Sequence, residues 1–111
     1  MTQAERAAQF QALHHRAGVF LIPNPWDAGS ARILTGLGFE ALATSSAASA
    51  AAQGKRDGQL TREEALAHAR AVVKATPLPV SADLGNGFGH KPEDVEQTIR
   101  MAAETGLVGC S

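Results

Sequence analysis

Apolar residues follow a helical spacing in some parts of the chain and form short continuous runs in others. Within residues 2–15, Ala7, Phe10 and Leu13 share one face at helical spacing, which predicts a short amphipathic opening helix. The run VFLIP at 19–23 is rich in β-branched and aromatic residues, which are typical of strands. Two prolines in the following NPWD segment end this run, so we predict a buried strand over 19–23 and then a turn.

The next segment contains a helix signal and a second apolar run. Asp27 is a favourable N-cap residue and predicts a helix from about Ala28 to Leu37, because glycines follow at its end. The run EALAT predicts a strand at 41–44. The small and polar residues of SSAASAAAQGKRDGQ, at 45–59, then predict a long loop.

A capping box marks the start of the third predicted helix. Thr61 and Glu64 have the spacing at which each side chain accepts the backbone N–H of the other, and the helix is expected to reach about Lys74. The segment PLPVSAD then predicts a strand at 79–83, which leads into the glycine-rich loop LGNGFGHK.

The last predicted helix begins at Pro92, because proline suits the first helical position and acidic residues follow it. Gly106 ends this helix, and LVGC predicts a strand at 107–110. The complete order is a helix followed by β-α-β-α-β-α-β. Strands that alternate with helices predict a parallel sheet with right-handed crossovers, and apolar strand runs predict that both faces are covered.

Polar residues follow each of the four predicted strands. In chain order they are Asn24, Trp26 and Asp27, then Ser45 and Ser46, then Asp83, and finally Ser111. Because parallel strands point the same way, these residues should meet at one edge of the sheet, where α/β proteins place their chemistry. The sequence therefore predicts a functional site at this edge.

Asp83 is the sharpest candidate within this predicted site. A carboxylate at the end of a buried strand, next to a glycine loop, suits a hard cation such as Mg²⁺, or else it caps loop amides. Ser45 and Ser46 can bind an anion through hydroxyl and amide groups, or they begin a solvated loop. Asp57 lies in the turn signature GKRDG, where a surface turn is the default interpretation.

Composition narrows the classes of protein to which the chain can belong. Its 111 residues are enough for one domain, and 44% hydrophobic residues allow a packed core. A formal net charge of −1 provides no basic surplus for nucleic acid or an anionic membrane, and no apolar run approaches the length of a membrane span. The single cysteine, Cys110, favours a reducing, cytoplasmic location and is expected to be a small core residue.

Four motifs occur in order along the chain: NPWDAGSARIL, GFEALATSSAA, GKRDG and PVSADLGNGFG. Together they resemble the N-terminal part of the isocitrate lyase and phosphoenolpyruvate mutase superfamily, including its carboxyvinyl-carboxyphosphonate phosphorylmutase-like and methylisocitrate lyase-like members. The resemblance implies the N-terminal half of a TIM-type (β/α)₈ barrel, about four β/α units after a preceding helix. Residues 1–111 are thus expected to be a single partial barrel domain that stops after the fourth strand. Its open strand edges favour a homo-oligomer.

The same resemblance implies a chemistry and a role for particular residues. It implies a Mg²⁺-dependent lyase or mutase that acts on C–C or P–C bonds of small 2-oxo or 2-hydroxy carboxylates through a pyruvate-enolate-type intermediate. Asp83 matches the principal metal-binding aspartate, and Asp57 matches an acid that supports the water shell of the metal. Ser45, Ser46 and Ala47 match the loop that holds the substrate carboxylate or phosphonate.

Two departures from the family motifs leave other interpretations open. Gly85 stands where the family usually has an acid, and the loop that carries the catalytic cysteine of the lyases is absent, so no catalytic residue is assigned. Cys110 does not match that cysteine. The chain alone is therefore expected to be incomplete or inactive as an enzyme. The alternatives are a non-catalytic, degenerate α/β binding or assembly module, or a compact flavodoxin-like anion binder.

Overall fold

A computed structural model describes all residues from Met1 to Ser111, which form five helices and three short strands. The helices are α1 (Gln3–His15), α2 (Ala28–Gly36), α3 (Ser46–Ala52), α4 (Arg62–Lys74) and α5 (Pro92–Ala103). The strands are β1 (Leu42–Ala43), β2 (Val80–Ala82) and β3 (Gly109–Cys110). None of the five helices combines the length and the apolar content needed to cross a bilayer.

The three strands form one parallel sheet in the order β1-β2-β3. Leu42 is in register with Val80 on one side of the central strand, and Ser81 is in register with Gly109 on the other. The predicted strands at 41–44, 79–83 and 107–110 are therefore confirmed, although each is shorter than the apolar run that contains it. The chain has the α/β architecture and the parallel pairing that the sequence predicts.

The predicted strand at 19–23 is wrong. This segment has a hydrogen-bonded neighbour on one side only, where the amide of Ala43 donates to the carbonyl of Pro23 at 3.1 Å. Pro23 has no N–H with which to continue a ladder. Val19 and Leu21 are 94% and 75% exposed, so the expectation that both sheet faces are covered also fails in this region.

The predicted loop at 45–59 is wrong in its first half, which forms α3. Alanine has the highest intrinsic helix propensity, and five of the seven residues of this helix are alanines. The hydroxyl of Ser45 accepts the amide of Ala48 at 3.3 Å and so caps the N-terminus. Capping and burial of the middle of the helix outweigh the loop tendency of the serine and glycine residues nearby.

The hydrophobic core lies between the sheet and α4. Leu42, Val72 and Val80 are among its fully buried side chains. The predicted capping box of α4 is confirmed, because Thr61 Oγ1 accepts the amide of Glu64 at 3.1 Å and Glu64 Oε1 accepts the amide of Thr61 at 3.0 Å. Since α4 also contacts α2, α3, α5 and β2, it holds the sheet and α3 in fixed relative positions.

Candidate functional site

Asp83 follows β2 directly and joins the ends of two neighbouring strands. Its amide donates to Thr44 Oγ1 at 3.3 Å, at the end of β1. Its carboxylate accepts the amide of Ser46 through Oδ2 at 3.3 Å and the amide of Gly85 through Oδ1 at 3.0 Å. The side chain is half-buried, so the carboxylate is fixed between the start of α3 and the loop after β2.

These contacts determine the charge of the site. Burial acts to raise the pKa of Asp83, but the hydrogen bonds donated by Gly85 and Ser46 outweigh burial and hold the pKa below its ordinary value. The carboxylate is therefore ionised at neutral pH. The site presents a fixed negative charge that is suited to a cation.

Asp83 lines a cavity of about 350 Å³, a volume within the usual range for small-molecule sites. Its lining comes from the end of β1 and α3, from the turn before α4 together with α4 itself, and from the loop after β2. The polar lining residues are Thr44, Ser46, Ser49, Asp57, Asp83 and Asn86. The other lining residues are Gly58, Leu60, Ala65, Leu84, Gly85 and Phe88. The cavity thus has two carboxylates, from different segments of the chain, together with an apolar part of its lining.

The loop after β2 has an unusual backbone. Gly85, Gly87 and Phe88 all have left-handed conformations, with φ of 59°, 82° and 63°. Phe88 is the only residue other than glycine with a positive φ, and its amide donates to Asn86 Oδ1 at 3.1 Å. Such a conformation costs energy in a residue with a side chain and persists where the surroundings fix it. Here it places Phe88 against both the core and the cavity.

Three of the five residues proposed for the site lie around this cavity, namely Ser46, Asp57 and Asp83. Ser45 does not line it, and its hydroxyl caps α3. Ala47 is exposed next to them, and its amide forms no hydrogen bond within the chain. The polar residues that follow β1 and β2 thus meet at one edge of the sheet, as the parallel topology predicts.

The other polar residues of the predicted edge do not reach the cavity. Asn24 donates its side-chain amide to the carbonyl of Ala43 at 2.8 Å, and the carbonyl of Trp26 is hydrogen-bonded to His68 Nε2 at 2.6 Å. Asp27 caps α2. Ser111 continues the pairing of β3 through its amide, which donates to the carbonyl of Ala82 at 2.9 Å. These four residues have structural roles, so the site is smaller than the sequence predicts.

Ser49 lines the cavity but was not identified from the sequence. It is 5% exposed, and its hydroxyl has no hydrogen-bond partner. It follows Ser46 by three residues, a spacing that puts two side chains on the same face of a helix. In a loop, a spacing of three residues does not put two side chains on the same side. Because the sequence predicts a loop here, it gives no signal for Ser49.

The donor set of the cavity fits a hard cation better than zinc. No group of three or more His, Cys, Asp or Glu residues is placed to hold a metal ion. The cavity has two carboxylates, those of Asp57 and Asp83, together with hydroxyl and amide oxygens. Mg²⁺ is commonly bound through one or two carboxylates and keeps several waters, whereas zinc sites use three or four protein ligands rich in nitrogen and sulfur.

Comparisons with known proteins all indicate similarity to phosphoenolpyruvate phosphomutase and related lyases. The family model for phosphoenolpyruvate phosphomutase matches residues 10–111. A crystal structure from Burkholderia cenocepacia J2315, described as that of a lyase/mutase, is 56% identical and superposes with a TM-score of 0.95. That match covers 97% of this chain and 39% of the other chain.

Two curated relatives have names that state a reaction. The 2-methylisocitrate lyase of Halalkalibacterium halodurans is 37% identical over 89 residues, which are 79% of this chain and 30% of that protein. The chloroplastic carboxyvinyl-carboxyphosphonate phosphorylmutase of Arabidopsis thaliana is 35% identical over 105 residues, which are 92% of this chain and 31% of that protein. The chain spans about a third of the length of the curated relatives that it matches.

Proposed function

The chain belongs to the phosphoenolpyruvate phosphomutase family, which includes lyases and phosphorylmutases, and from this premise we propose the reaction that its site serves. The reaction is the cleavage or formation of a C–C or P–C bond in a small 2-oxo or 2-hydroxy carboxylate, with Mg²⁺ and a pyruvate-enolate-type intermediate. The observation that carries the proposal is the ionised carboxylate of Asp83, held 3.3 Å from the amide of Ser46 at a cavity that Asp57 also lines.

Asp83 and Asp57 are the residues proposed to hold the metal. Asp83 is half-buried and positioned by two amides, so it is suited to direct contact with a cation. Asp57 is exposed at the turn before α4 and is suited to contact the water shell of the metal. A bound Mg²⁺ supplies positive charge next to an oxygen that gains negative charge when the bond breaks.

The segment from Ser45 to Ala47 is proposed to hold the carboxylate or phosphonate of the substrate. The amide of Ala47 is free to donate a hydrogen bond, while the amide of Ser46 orients Asp83. The hydroxyl of Ser45 keeps the segment in place by capping α3. Fixed N–H donors next to a developing negative charge stabilise it without a cost of reorganisation.

We also propose that residues 1–111 form a single partial domain, the first half of a (β/α)₈ barrel. The proposal is supported by the parallel order of β1, β2 and β3 and by the solved relative that the chain covers to 39%. The edges at 19–23 and at β3 each have one strand neighbour, which favours association between copies of the chain. On this proposal the chain alone binds ligand but does not complete the reaction.

Calorimetric titration with Mg²⁺ and oxalate, which resembles an enolate of pyruvate, tests the proposed site. We expect the wild-type chain to bind oxalate in a Mg²⁺-dependent manner at millimolar concentrations or below. Asp83→Asn keeps the size of the side chain and removes its charge, so we expect it to weaken binding by at least about 100-fold, because losses of that size already follow mutation of residues that only support metal ligands.

The matched control for Asp83→Asn is Glu96→Gln, which removes one negative charge from the exposed surface of α5, outside the cavity. Its oxalate affinity should equal that of the wild-type chain. Failure of the wild-type chain to bind would contradict the proposal and favour a non-catalytic α/β module. Equal affinity of the wild-type and Asp83→Asn chains would remove Asp83 from the site.

A further inference from the structure

Thr98, in the second turn of α5, joins this helix to the loop after β2. The residue is 0% exposed, and its hydroxyl donates to the carbonyl of Gly87 at 2.6 Å and to the carbonyl of Asp94 at 3.0 Å. A threonine within a helix commonly donates to the carbonyl four residues earlier, which is that of Asp94 here. Because the helix itself supplies an acceptor, the shorter bond to Gly87 is an additional link between two segments.

Gly87 depends on this link. The residue is buried, and its carbonyl accepts no other hydrogen bond within the chain. A buried carbonyl that loses its only partner destabilises the conformation that buries it. The loop also lies directly against α5, since a Cβ on Gly87 would come to 2.9 Å from Val95 Cγ2. Thr98 and Val95 therefore fix the position of Gly87.

The other hydrogen bonds of residues 85–88 are local. They are donated by the amides of Gly85, Gly87 and Phe88 to Asp83 Oδ1 at 3.0 Å, the carbonyl of Leu84 at 3.0 Å and Asn86 Oδ1 at 3.1 Å. The bond from Thr98 is thus the one hydrogen bond that joins residues 85–88 to another element of the fold. A displacement of Gly87 would also displace the amide of Gly85, which holds the carboxylate of Asp83.

We propose that Thr98 is a positioning residue for Asp83. Its hydroxyl holds the loop after β2 in the conformation in which the amide of Gly85 orients the carboxylate. Thr98 does not line the cavity, so it acts through the loop and not by contact with a ligand. This inference rests on the proposed function, which puts the metal at Asp83.

Calorimetric titration with Mg²⁺ and oxalate compares the wild-type chain with two variants of this residue. Thr98→Val nearly keeps the shape of the side chain and removes the hydroxyl. We expect its affinity for oxalate to fall about 10-fold, the lower end of the losses that follow mutation of residues that support metal ligands. Thr98→Ser keeps the hydroxyl, so its affinity should return to within about twofold of the wild-type value.

Thr105→Val is the matched control for Thr98→Val. Thr105 is also buried, at 5% exposure, and its hydroxyl donates to the carbonyl of Ala102 at 2.6 Å, away from the cavity. Both valine variants remove a buried hydrogen bond, so both should unfold at a lower urea concentration than the wild-type chain. Only Thr98→Val should lose affinity for oxalate.

Hydrogen exchange without ligand provides a readout that does not depend on binding. The amide of Gly87 donates to the carbonyl of Leu84, and its exchange rate reports the opening of the loop. We expect this amide to exchange about 10-fold faster in Thr98→Val, because the loop has lost its link to α5. Its rate in Thr98→Ser and in Thr105→Val should equal that of the wild-type chain. Two-dimensional NMR in deuterated buffer measures these rates.

The outcomes separate this inference from the function on which it rests. Equal losses of affinity in Thr98→Val and Thr105→Val would show a general effect of stability and would overturn the inference. Failure of Thr98→Ser to restore affinity would also overturn it. A wild-type chain that does not bind oxalate would contradict the proposed function. In that case faster exchange of Gly87 in Thr98→Val would still support the hold of Thr98 on the loop, and an unchanged rate would overturn it.

Discussion

The runs at 19–23 and 79–82 differ in a way that their composition does not suggest. VFLIP is the more apolar run, yet only the second run, PVSA, forms a strand. Val80 is 1% exposed between β1 and β3, whereas Val19 and Leu21 are exposed next to a single neighbour. The comparison teaches that the central strand is determined here by its pairing with β1 and β3 rather than by its own hydrophobicity.

The polar residues that follow the two runs differ in the same way, because only those after the central strand lie at the cavity. Asp83 follows the central strand, where Thr44 and Ser46, which follow β1, and Gly85 of its own loop hold its backbone and side chain in position. Asn24 and Asp27 follow the run with one neighbour and take up structural roles, as a backbone contact and a helix cap. The cavity therefore forms at the central strand and not at the apolar run.

The largest difference in the free energy of unfolding is expected when one leucine in each region is replaced by alanine. Leu42, opposite Val80 in β1, is fully buried, and Leu42→Ala should reduce the free energy of unfolding by about 2–5 kcal/mol. Leu21→Ala removes the same atoms from an exposed position, and its effect should lie within about 0.5 kcal/mol. Urea denaturation of the two variants measures both values. Equal losses would mean that 19–23 is packed as tightly as the sheet.

The next largest difference in stability is expected when two glycines with nearly the same φ, Gly87 and Gly18, are each replaced by alanine. Gly87→Ala would bring a Cβ to 2.9 Å from Val95 Cγ2, so its cost should exceed the ~1–2 kcal/mol expected for a left-handed alanine alone. Gly18→Ala has a similar φ and no atom within 4 Å of the new Cβ, so only the cost of the conformation is expected. Thermal unfolding should rank Gly87→Ala as the less stable variant. The reverse order would contradict the close packing of the loop after β2.

Two carboxylates, Glu64 in α4 and Glu40 before β1, should contribute differently to the loss of stability in acid. The hydrogen bond from Lys55, followed by that from Thr61, lowers the pKa of Glu64 from 4.5 to about 2, and the hydrogen bond from Arg16 lowers the pKa of Glu40. A lowered folded-state pKa contributes stability that is present above the unfolded pKa and is lost as the pH falls through the folded pKa.

Glu64→Gln should therefore flatten the loss of stability between pH 4.5 and about 2 more than Glu40→Gln does, because Glu64 also belongs to the capping box of α4. Denaturant midpoints measured across this pH range provide the check. Identical pH profiles for Glu64→Gln and the wild-type chain would contradict the contribution of this carboxylate.

The smallest effect on folding is expected from a charge at the exposed run. Leu21→Lys should change the free energy of unfolding by less than about 0.5 kcal/mol, because the side chain is exposed. The same change should raise the concentration at which copies of the chain associate, since charged residues discourage pairing at an open edge. Sedimentation velocity over a concentration series measures this shift. Unchanged association would show that copies do not meet at 19–23.

The sequence predicts most of the helices because their signals are local. The capping box at Thr61 and the proline at the start of α5 act within a few residues, and both helices form where these residues indicate. The run at 19–23 fails as a strand because pairing depends on distant segments, which no local pattern reports. In α3, the high helix propensity of five alanines outweighs the loop tendency of the serine and glycine residues around them.

The convergence of Ser46 and Asp83 could be predicted from the parallel topology, because it depends only on the direction of the strands. Their roles in metal and substrate binding stay predictions. Ser49 could not be found without the structure, because its significance depends on the helical state of α3 and on the missing partner of its hydroxyl. Burial and hydrogen-bond satisfaction are properties of the folded chain alone.

The brevity of α3 has a consequence for affinity. A helix of seven residues is unstable in isolation, so α3 persists because of its cap and its contacts with α4. We expect so short a helix to open locally at a lower free energy than the sheet does. Only molecules in which it is wound have a complete cavity, and the apparent dissociation constant of any ligand is raised in inverse proportion to that fraction. Substitutions that stabilise this short helix would lower the apparent dissociation constant of a ligand without contacting it.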